Sequence, residues 1–413
     1  MSQHQSSIVS IPIQHRPNSS KSALQLLTFN ISFFISLLIL HSTQLIFFPL
    51  IFFKSAFDGF FWKINTLAKQ VFAIVLVVIT QVFGPSTFVI TVDEGVDLSR
   101  MVRRDQNGRV LSLNLPKRSV MMANHQIYAD WLYIWCLAYL GEIHGSIVII
   151  LKASLKWVPI VGPAMQLFSF IFLNRSWASD KASLTSDLMT MAHQALNSPD
   201  RQSLSLLIFP EGTLVSPHTR PISKRYCDQN GYPNLNHCLL PRSTGTLFCI
   251  RALSRSIPDL QLIDLTIGYP GIPAHGNGQD FYTLQSIFGY GHSPPKVHIH
   301  LRMIPISSIP IGVSPKVAGV NIDPTMEEAK IFDKWLRDQW IRKDEMLERF
   351  YQNGSMCELK EDELKQRKLE IKIGLRPDGD GTLLVALYFP GLLALGFVWI
   401  CVIKPFLNLF ISI

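Results

Sequence analysis

The stretch Arg118-Ser119-Val120-Met121-Met122-Ala123 leads directly into Asn124-His125-Gln126-Ile127-Tyr128-Ala129-Asp130. Its first half is a short apolar run typical of a buried strand, and the polar residues that follow mark the end of that strand. Helical patterns, such as that of residues 180–196, separate this run from others like it. The other apolar runs cover residues 147–151, 204–209, 260–267 and 297–303. Strands that alternate with helices predict an α/β domain with a mostly parallel sheet flanked by helices.

The overall composition is that of a chain with little charge. Of the 413 residues, 48% are hydrophobic and 16% are charged, whereas soluble domains carry about 25% charged residues. This composition excludes a disordered or collagen-like protein. The net charge of +8 suits either nucleic acid or an anionic lipid surface. Because charge is scarce and 26 phenylalanines are present, we expect membrane lipids and not nucleic acid as partners.

Long uncharged segments lie towards both ends of the chain. Residues 26–53 contain no Asp, Glu, Lys or Arg, and a membrane-spanning helix needs about 20 apolar residues. Residues 70–92 are also uncharged, but Gly84-Pro85 interrupts them. They therefore predict a second span, a re-entrant arm or a helix in the membrane interface, with no choice between them. Residues 383–403 predict a C-terminal transmembrane segment.

These patterns divide the chain into five predicted parts. Residues 1–25 form a polar tail that we expect to be disordered. N-terminal membrane helices, the α/β domain and an amphipathic helical extension follow, and a C-terminal membrane segment ends the chain. Their predicted bounds are residues 26–99, 100–322, 323–375 and 376–413. Asp323 is the expected N-cap of the helical extension, with Pro324 at its first helical position.

Basic residues next to the apolar segments indicate an orientation. Arg100, Arg103 and Arg104 follow the second segment. A larger cluster precedes the last segment and comprises Lys360, Lys365, Arg367, Lys368, Lys372 and Arg376. The positive-inside tendency puts the central domain on the cytosolic side, unless these charges only solvate a helix face. A glycan at the Asn-x-Ser sequon of Asn174 or Asn353 would put it in the lumen instead.

The six cysteines give no sign of a disulfide framework or of a metal site. No CxxC pair is present, and the equal spacing of Cys227, Cys238 and Cys249 fits no zinc pattern. We therefore expect free, buried thiols in a reducing compartment. His298 and His300 alternate along a predicted strand, which favours a polar strand face over a metal site.

His125 and Asp130 are the first candidates for chemistry, because both follow a strand that ends at Ala123. Functional groups cluster at the carboxyl ends of strands in open α/β sheets. A histidine takes up a proton near neutral pH, and a carboxylate can hold its other nitrogen. Five positions correspond to about 140° around an ideal helix. The pair therefore requires a turn between its members, and a purely structural histidine is the alternative.

Three further patterns add candidates for binding. The turn Phe209-Pro210-Glu211-Gly212-Thr213 follows an apolar run, so Glu211 either contacts a substrate hydroxyl or is simply solvated. Arg175 follows another apolar stretch, and Arg242 lies in Leu240-Pro241-Arg242-Ser243-Thr244-Gly245. Arginine binds phosphate in a bidentate manner, although a surface arginine or a helix start would give the same patterns.

Taken in order, these patterns resemble the four motif blocks of the glycerophospholipid acyltransferases, the 1-acylglycerol-3-phosphate acyltransferase superfamily. The blocks are Asn-His-x4-Asp, Gly…Phe-Leu-x-Arg, Phe-Pro-Glu-Gly-Thr and an apolar strand that ends at Pro270, and they cover residues 115–275. The extended first block, Leu-Pro-Arg-Ser-Thr-Gly and Tyr-Pro-Gly resemble the branch of lysocardiolipin acyltransferase and fungal lysophosphatidylinositol-remodelling enzymes. Leu214 departs from the arginine typical of phosphatidic-acid-forming members, and Pro163 replaces a bulkier residue after Gly162.

The resemblance implies a membrane-bound, acyl-CoA-dependent O-acyltransferase of phospholipid remodelling. Such an enzyme moves a fatty acyl chain from acyl-CoA to the free hydroxyl of a lysophospholipid, for example a lysophosphatidylinositol or lysocardiolipin-like acceptor. His125 would be the general base and Asp130 its support. The implied substrate-binding residues are Glu211, Gly212, Thr213, Arg175 and Arg242, of which the arginines would bind the acceptor phosphate.

The same resemblance implies no metal and no cofactor besides the co-substrate acyl-CoA, and a place in the endoplasmic reticulum membrane with a cytosolic catalytic domain. A lysophosphatidate acyltransferase that makes phosphatidic acid, a non-catalytic lipid-binding membrane protein and a hydrolase are the alternatives. The acceptor headgroup, the acyl chain, the acylated carbon and the oligomeric state stay open.

Overall fold

The computed structural model describes residues 8–16, 22–49, 58–197, 203–312, 322–358, 360, 363–376, 380–400 and 404. Within these ranges the chain forms an eight-stranded sheet and a separate two-stranded hairpin. The strands are β1 (Thr87–Val92), β2 (Val102–Arg104), β3 (Val110–Leu113), β4 (Arg118–Ala123), β5 (Ile147–Lys152), β6 (Ile171–Leu173), β7 (Leu204–Ile208), β8 (Gln261–Gly268), β9 (Lys296–Pro305) and β10 (Lys368–Lys372).

The eight-stranded sheet has the order β10-β1-β9-β8-β4-β7-β5-β6. Strands β8, β4, β7, β5 and β6 run parallel to one another, and β1 runs parallel to β9. Within this sheet, as far as its strands are described, only the pairs β8–β9 and β1–β10 are antiparallel. The predicted α/β class with a mostly parallel sheet is therefore confirmed. The carboxyl ends of β4, β5, β7 and β8 lie at one edge, which is called the strand-end edge below.

Helices cover both faces of the sheet. They are α1 (Ser22–Phe47), α2 (Asp58–Phe83), α3 (Asp130–Leu140), α4 (Val161–Leu167), α5 (Trp177–Asn197), α6 (Thr219–Asn230), α7 (Ser243–Ser256), α8 (Gly278–Phe281), α9 (Met326–Asn353), α10 (Leu364–Arg367) and α11 (Gly381–Val398). Residues of α2 and α3 share one apolar core with Ile263, Leu265 and Ile267 of β8. Residues of α5, α7 and α9 share the other core with Leu262, as the alternation of side chains along a strand requires.

The helical extension begins slightly later than its sequence pattern predicts. Thr325, not Asp323, is the N-cap of α9, because the Thr325 side chain accepts from Glu328 N and the Glu328 carboxylate accepts from Thr325 N. This capping box pairs the backbone N–H groups of Thr325 and Glu328 with side-chain oxygens. The helix ends at Asn353, and its C-cap Gly354 adopts φ +75°.

The structure differs from the predicted parts in three places. Residues 8–16, expected to be disordered, form a short folded segment in which Val9 is buried and Arg16 donates to the Val9 carbonyl. The sheet takes β1 and β10 from outside the predicted domain of residues 100–322. Residues 70–92 divide into the end of α2 and the buried strand β1, because Gly84 and Pro85 break the helix between them.

The two N-terminal apolar helices are present as predicted. Ser22–Phe47 and Phe60–Phe83 are long and apolar enough to cross a membrane, by length and composition. The first is largely exposed, whereas the second packs on the sheet. At the other end, α11 has 18 residues and contains Pro390, which is shorter than the about 20 residues of a span. It packs against α1, where Thr43 donates to the Leu387 carbonyl. A C-terminal transmembrane segment stays a prediction, and residues 401–403 and 405–413 lie outside the described ranges.

Candidate active site

The Asn124 side chain fixes the point at which the chain leaves β4, because it forms hydrogen bonds with the backbone of β8. Its Oδ1 accepts from Ile267 N at 2.8 Å, and its Nδ2 donates to the Ile267 carbonyl at 3.0 Å. Asn124 is fully buried, so these two bonds satisfy an amide that would otherwise be costly to bury. The end of β4 is thereby tied to β8, and His125 emerges at the strand-end edge.

A tight turn brings His125 and Asp130 together. The Nδ1 atom of His125 donates to Asp130 Oδ2 at 2.8 Å. The same oxygen accepts the backbone N–H groups of Gln126 at 2.7 Å and Ile127 at 3.0 Å. Asp130 is the first residue of α3, so the helix begins where the turn ends. This is the turn that the spacing of five requires.

The Asp130 carboxylate also receives a hydroxyl group. Tyr269, just after β8, donates to Asp130 Oδ1 at 2.6 Å. The Asp130 side chain is 0% exposed and the His125 side chain is 18% exposed. Burial and the nearby Asp130 charge raise the pKa of Tyr269 well above its usual value, so its hydroxyl stays a donor. The carboxylate is thus held by N–H and O–H donors, while the imidazole reaches the surface.

Phe209 fixes the plane of the His125 ring. Their ring centroids are 4.2 Å apart, with an interplanar angle of 23°. Because Nδ1 is bound to Asp130, the stacked ring leaves Nε2 as the nitrogen for exchange with a bound molecule. The site can therefore take a proton at Nε2 and stabilise the resulting cation through Asp130.

Glu211 lies beneath this pair and not in the open mouth of the site. Its Oε1 accepts from His125 N at 3.1 Å and from Trp340 Nε1 at 3.3 Å, and its Oε2 accepts from Leu239 N at 3.0 Å. The residue is 2% exposed. Burial raises the pKa of Glu211 to about 8, against the hydrogen bonds from Leu239, His125 and Trp340 that lower it. In this position the carboxylate holds backbone, and the predicted contact with a substrate hydroxyl stays a prediction.

Two arginines lie together at the rim. Gly212 adopts φ +71°, and a Cβ added there would lie 3.6 Å from Cδ and Nε of Arg242. Burial and the charge of Arg242 both lower the pKa of Arg175. Both side chains are exposed, and neither forms an ion pair with a carboxylate of the described residues. The pair is a positive site suited to an anion, with half-buried Thr213 next to Gly212 in the turn.

Several residues of the site lack a recognisable sequence signal. Asn124 and Tyr269 occur in quoted motifs, but no spacing rule connects either of them with Asp130 or Ile267. Trp340 is an ordinary apolar position of an amphipathic helix. Among the described residues, no group of three His, Cys, Asp or Glu side chains could hold a metal ion. That the chemistry needs no metal or cofactor stays a prediction.

Comparison with known proteins connects this geometry with a family. The family model described as Acyltransferase matches residues 109–268. The chain is 33% identical over 315 residues to a 2-acyl-1-lysophosphatidylinositol acyltransferase of Saccharomyces cerevisiae, covering 70% of this chain and 75% of that protein. It is 31% identical to lysocardiolipin acyltransferase 1 of Danio rerio, covering 57% and 53%. It is also 31% identical to lysophosphatidylinositol acyltransferase 10 of Caenorhabditis elegans, covering 60% and 56%.

Proposed function

The chain belongs to the glycerophospholipid acyltransferase superfamily, in the branch of the lysophosphatidylinositol and lysocardiolipin acyltransferases, and from this premise we propose that it moves a fatty acyl chain from acyl-CoA to the free hydroxyl of a lysophospholipid. The observation that carries the proposal is the His125–Asp130 hydrogen bond of 2.8 Å at the strand-end edge. It supplies the base that an alcohol needs before it can attack a thioester.

His125 is the general base of the proposed reaction. The acceptor hydroxyl oxygen attacks the carbonyl carbon of the thioester, and its proton passes to Nε2 of His125. As the carbon–sulfur bond breaks, the CoA thiolate leaves and takes the proton from Nε2. A positioned base of this kind contributes about 10²–10⁴ in rate. Acyl-CoA is a co-substrate, and no cofactor or metal takes part.

Asp130 and Tyr269 position the base. The carboxylate holds the proton of His125 on Nδ1, so that Nε2 presents its lone pair to the acceptor. The hydroxyl of Tyr269 and two backbone N–H groups fix the carboxylate in turn. Glu211 secures the backbone of His125 from below. Asp130 therefore supports the imidazolium without leaving its buried position.

Arg175 and Arg242 bind the acceptor phosphate in this proposal. Arg175→Ala should raise the KM for the lysophospholipid about tenfold, because a hydrogen bond to a charged group contributes about 1.5–3 kcal/mol. Initial rates at varied acceptor concentration measure this effect, and Lys181→Ala, which removes an amine paired with Asp323, is the control. An unchanged KM in Arg175→Ala would remove Arg175 from the phosphate site.

Leu214 favours a remodelling acceptor over lysophosphatidate. It occupies the position where phosphatidic-acid-forming members carry an arginine, and its side chain is buried. One cation for a terminal phosphate is thereby missing from the rim. An acceptor whose phosphate carries a larger headgroup, such as lysophosphatidylinositol or a lysocardiolipin-like lipid, suits the remaining pair of arginines better. Phosphatidic acid formation is the second candidate activity.

The strand-end edge also carries an exposed apolar tip that supports contact with a bilayer. Trp157 is 84% exposed, and Val158 and Ile160 are 38% and 39% exposed. The tip follows β5 and leads into α4, which packs against α1. Tryptophan is enriched at the membrane–water interface. Together with the two apolar helices and the basic residues beside the apolar segments, this tip supports our proposal of an integral protein of the endoplasmic reticulum membrane whose catalytic domain is cytosolic.

The deciding experiment measures acyl transfer in microsomes from labelled acyl-CoA to a panel of lysophospholipids with inositol, serine, glycerol or unsubstituted phosphate headgroups. We expect transfer to at least one substituted acceptor and a weaker signal with lysophosphatidate. His125→Ala is the control. CoA release without any acceptor would indicate a hydrolase, and equal rates in wild type and variant would indicate a non-catalytic lipid-binding protein. A glycan on Asn174 or Asn353 would contradict the cytosolic orientation.

A further inference from the structure

A second histidine on the same sheet lies between a thiol and a carboxylate. His300 is on β9, two strands away from β4 in the sheet. Asp93 directly follows β1, and Cys357 lies three residues beyond Gly354, the C-cap of α9. The Nε2 atom of His300 is 3.0 Å from Asp93 Oδ1, and its Nδ1 is 3.3 Å from Cys357 Sγ. These three residues are called the thiol site below.

The two ring nitrogens of His300 have distinct partners. Asp93 accepts a hydrogen bond from Nε2, which keeps the proton of the neutral ring on that nitrogen. Nδ1 is then an acceptor, and it faces both the Cys357 thiol and the Thr91 hydroxyl, the latter at 3.0 Å. A base within reach of a thiol, itself oriented by a third group, is the arrangement that activates a cysteine nucleophile.

Charge and exposure distinguish Cys357 from the other described cysteines. Burial alone would raise the pKa of Cys357, but the hydrogen bond and charge of His300 lower it, assisted by Thr91 and Arg367. The His300 pKa is raised by Asp93 and Cys357 despite burial. Cys357 is partly exposed. The other described thiols are buried, and burial raises their pKa; they are Cys136, Cys227, Cys238 and Cys249.

We propose that Cys357 is a modification site, a thiol activated by His300 that takes an acyl group from a long-chain acyl-CoA. The Cys357 proton passes to Nδ1 of His300, and the thiolate sulfur attacks the thioester carbonyl carbon. The bond from that carbon to the CoA sulfur breaks, and CoA leaves as a thiol with the proton from His300. One thioester replaces another, so no oxidant or reductant is needed. The proposal rests on the proposed function only for acyl-CoA as the donor class.

The test uses the full-length protein, purified in detergent and incubated with palmitoyl-CoA without any acceptor. We expect one palmitoyl group on the wild type, removed by hydroxylamine and mapped by mass spectrometry to Cys357. Cys357→Ser should lose the label, whereas the matched variant Cys227→Ser should keep it. His125→Ala should keep the label although it loses transfer to lysophospholipids. Label on Cys357 without lysophospholipid transfer would overturn only the proposed function.

A pH profile separates activation from a structural role of His300. Iodoacetamide should alkylate Cys357 with an apparent pKa below that of an ordinary thiol, about 8.5. His300→Gln should return the apparent pKa to the ordinary value, and Asp93→Asn, which keeps the imidazole, should raise it part of the way. Equal labelling of wild type and Cys357→Ser, or an unchanged alkylation profile in both His300→Gln and Asp93→Asn, would overturn the proposal.

Discussion

The sheet carries two imidazole–carboxylate pairs whose hydrogen bonds have nearly the same length. The His125–Asp130 pair measures 2.8 Å and the His300–Asp93 pair 3.0 Å. Their surroundings differ. Asp130 is 0% exposed and accepts hydrogen bonds from His125, from Tyr269 and from two backbone N–H groups. Asp93 is 31% exposed and forms ion pairs with Arg302 and Arg342.

The two carboxylates differ in the positive charge that surrounds them. The two guanidinium groups already balance the charge of Asp93, so less of it is available to an imidazolium. Asp130 has no cationic partner among the described residues besides His125. The rings differ as well, because the His125 side chain is 18% exposed and the His300 side chain 1% exposed. The first ring can meet a substrate, whereas the second is enclosed and faces Asp93, Thr91 and Cys357.

The largest expected effect separates the two histidines. His125→Ala should lower acyl transfer about 10²–10⁴-fold, because the acceptor hydroxyl loses its base. His300→Gln should leave transfer near the wild-type rate. Initial rates in microsomes measure both, and membrane association of each variant, checked by sedimentation, is the control. Comparable losses of acyl transfer in the two variants would show that His125 and His300 do not differ in their contribution to transfer.

A smaller effect on kcat distinguishes the hydroxyl of Tyr269, which binds Asp130, from the hydroxyl of Thr91, which faces His300. Tyr269→Phe keeps the buried ring but removes the donor to Asp130 Oδ1. We expect kcat to fall about tenfold, since a hydrogen bond to a charged group is worth about 1.5–3 kcal/mol. The KM for the acceptor should not change, because Tyr269 is buried. Thr91→Val, which removes the hydroxyl facing His300, is the matched control and should leave kcat unchanged.

The sequence predicts the His125–Asp130 pair better than the His300–Asp93 pair. Strand β4 and the positions of His125 and Asp130 after it follow from a short apolar run and a turn. The partnership of Asp130 with Tyr269 does not, because the two lie 139 positions apart. Glu211 accepts a hydrogen bond from Trp340, 129 positions away, and a Pro-Glu-Gly turn alone cannot show where its carboxylate points.

The thiol site was beyond prediction for a related reason. It needs β1 beside β9, and the apolar residues 87–92 suit a membrane segment as well as a central strand. Because of the same ambiguity, residues 70–92 predict a second span, a re-entrant arm or a helix in the membrane interface. An alternating histidine strand indicates a polar face, but only the pairing of Thr91 with His300 shows which groups meet on that face.

A pH effect of intermediate size tests the support beneath His125. Because burial raises the folded-state pKa of Glu211 to about 8 from 4.5, the folded protein binds more protons there than the unfolded chain between these values. Its contribution to stability therefore falls as pH rises through this window. Glu211→Gln should flatten that dependence. Thermal unfolding in detergent across the window measures it, with Glu345→Gln on exposed α9 surface as control. An unchanged slope in Glu211→Gln would mean that Glu211 is ionised throughout.

The smallest expected effect is the pH dependence of the stability that Asp93 contributes. Its sign is opposite to that expected for Glu211. Burial alone would raise the pKa of Asp93, but the hydrogen bond and charge of His300, with Arg342 and Arg302, lower it to about 2. A lowered carboxyl pKa contributes stability above the unfolded value of 3.8, and that stability is lost as pH falls towards 2. Because Asp93 is partly solvated, Asp93→Asn should remove less than about 1 kcal/mol. The difference in unfolding midpoint between wild type and Asp93→Asn should therefore shrink in acid. Loss of acyl transfer in Asp93→Asn at neutral pH would show that the thiol site contributes to transfer and would contradict the separate roles proposed for the two pairs.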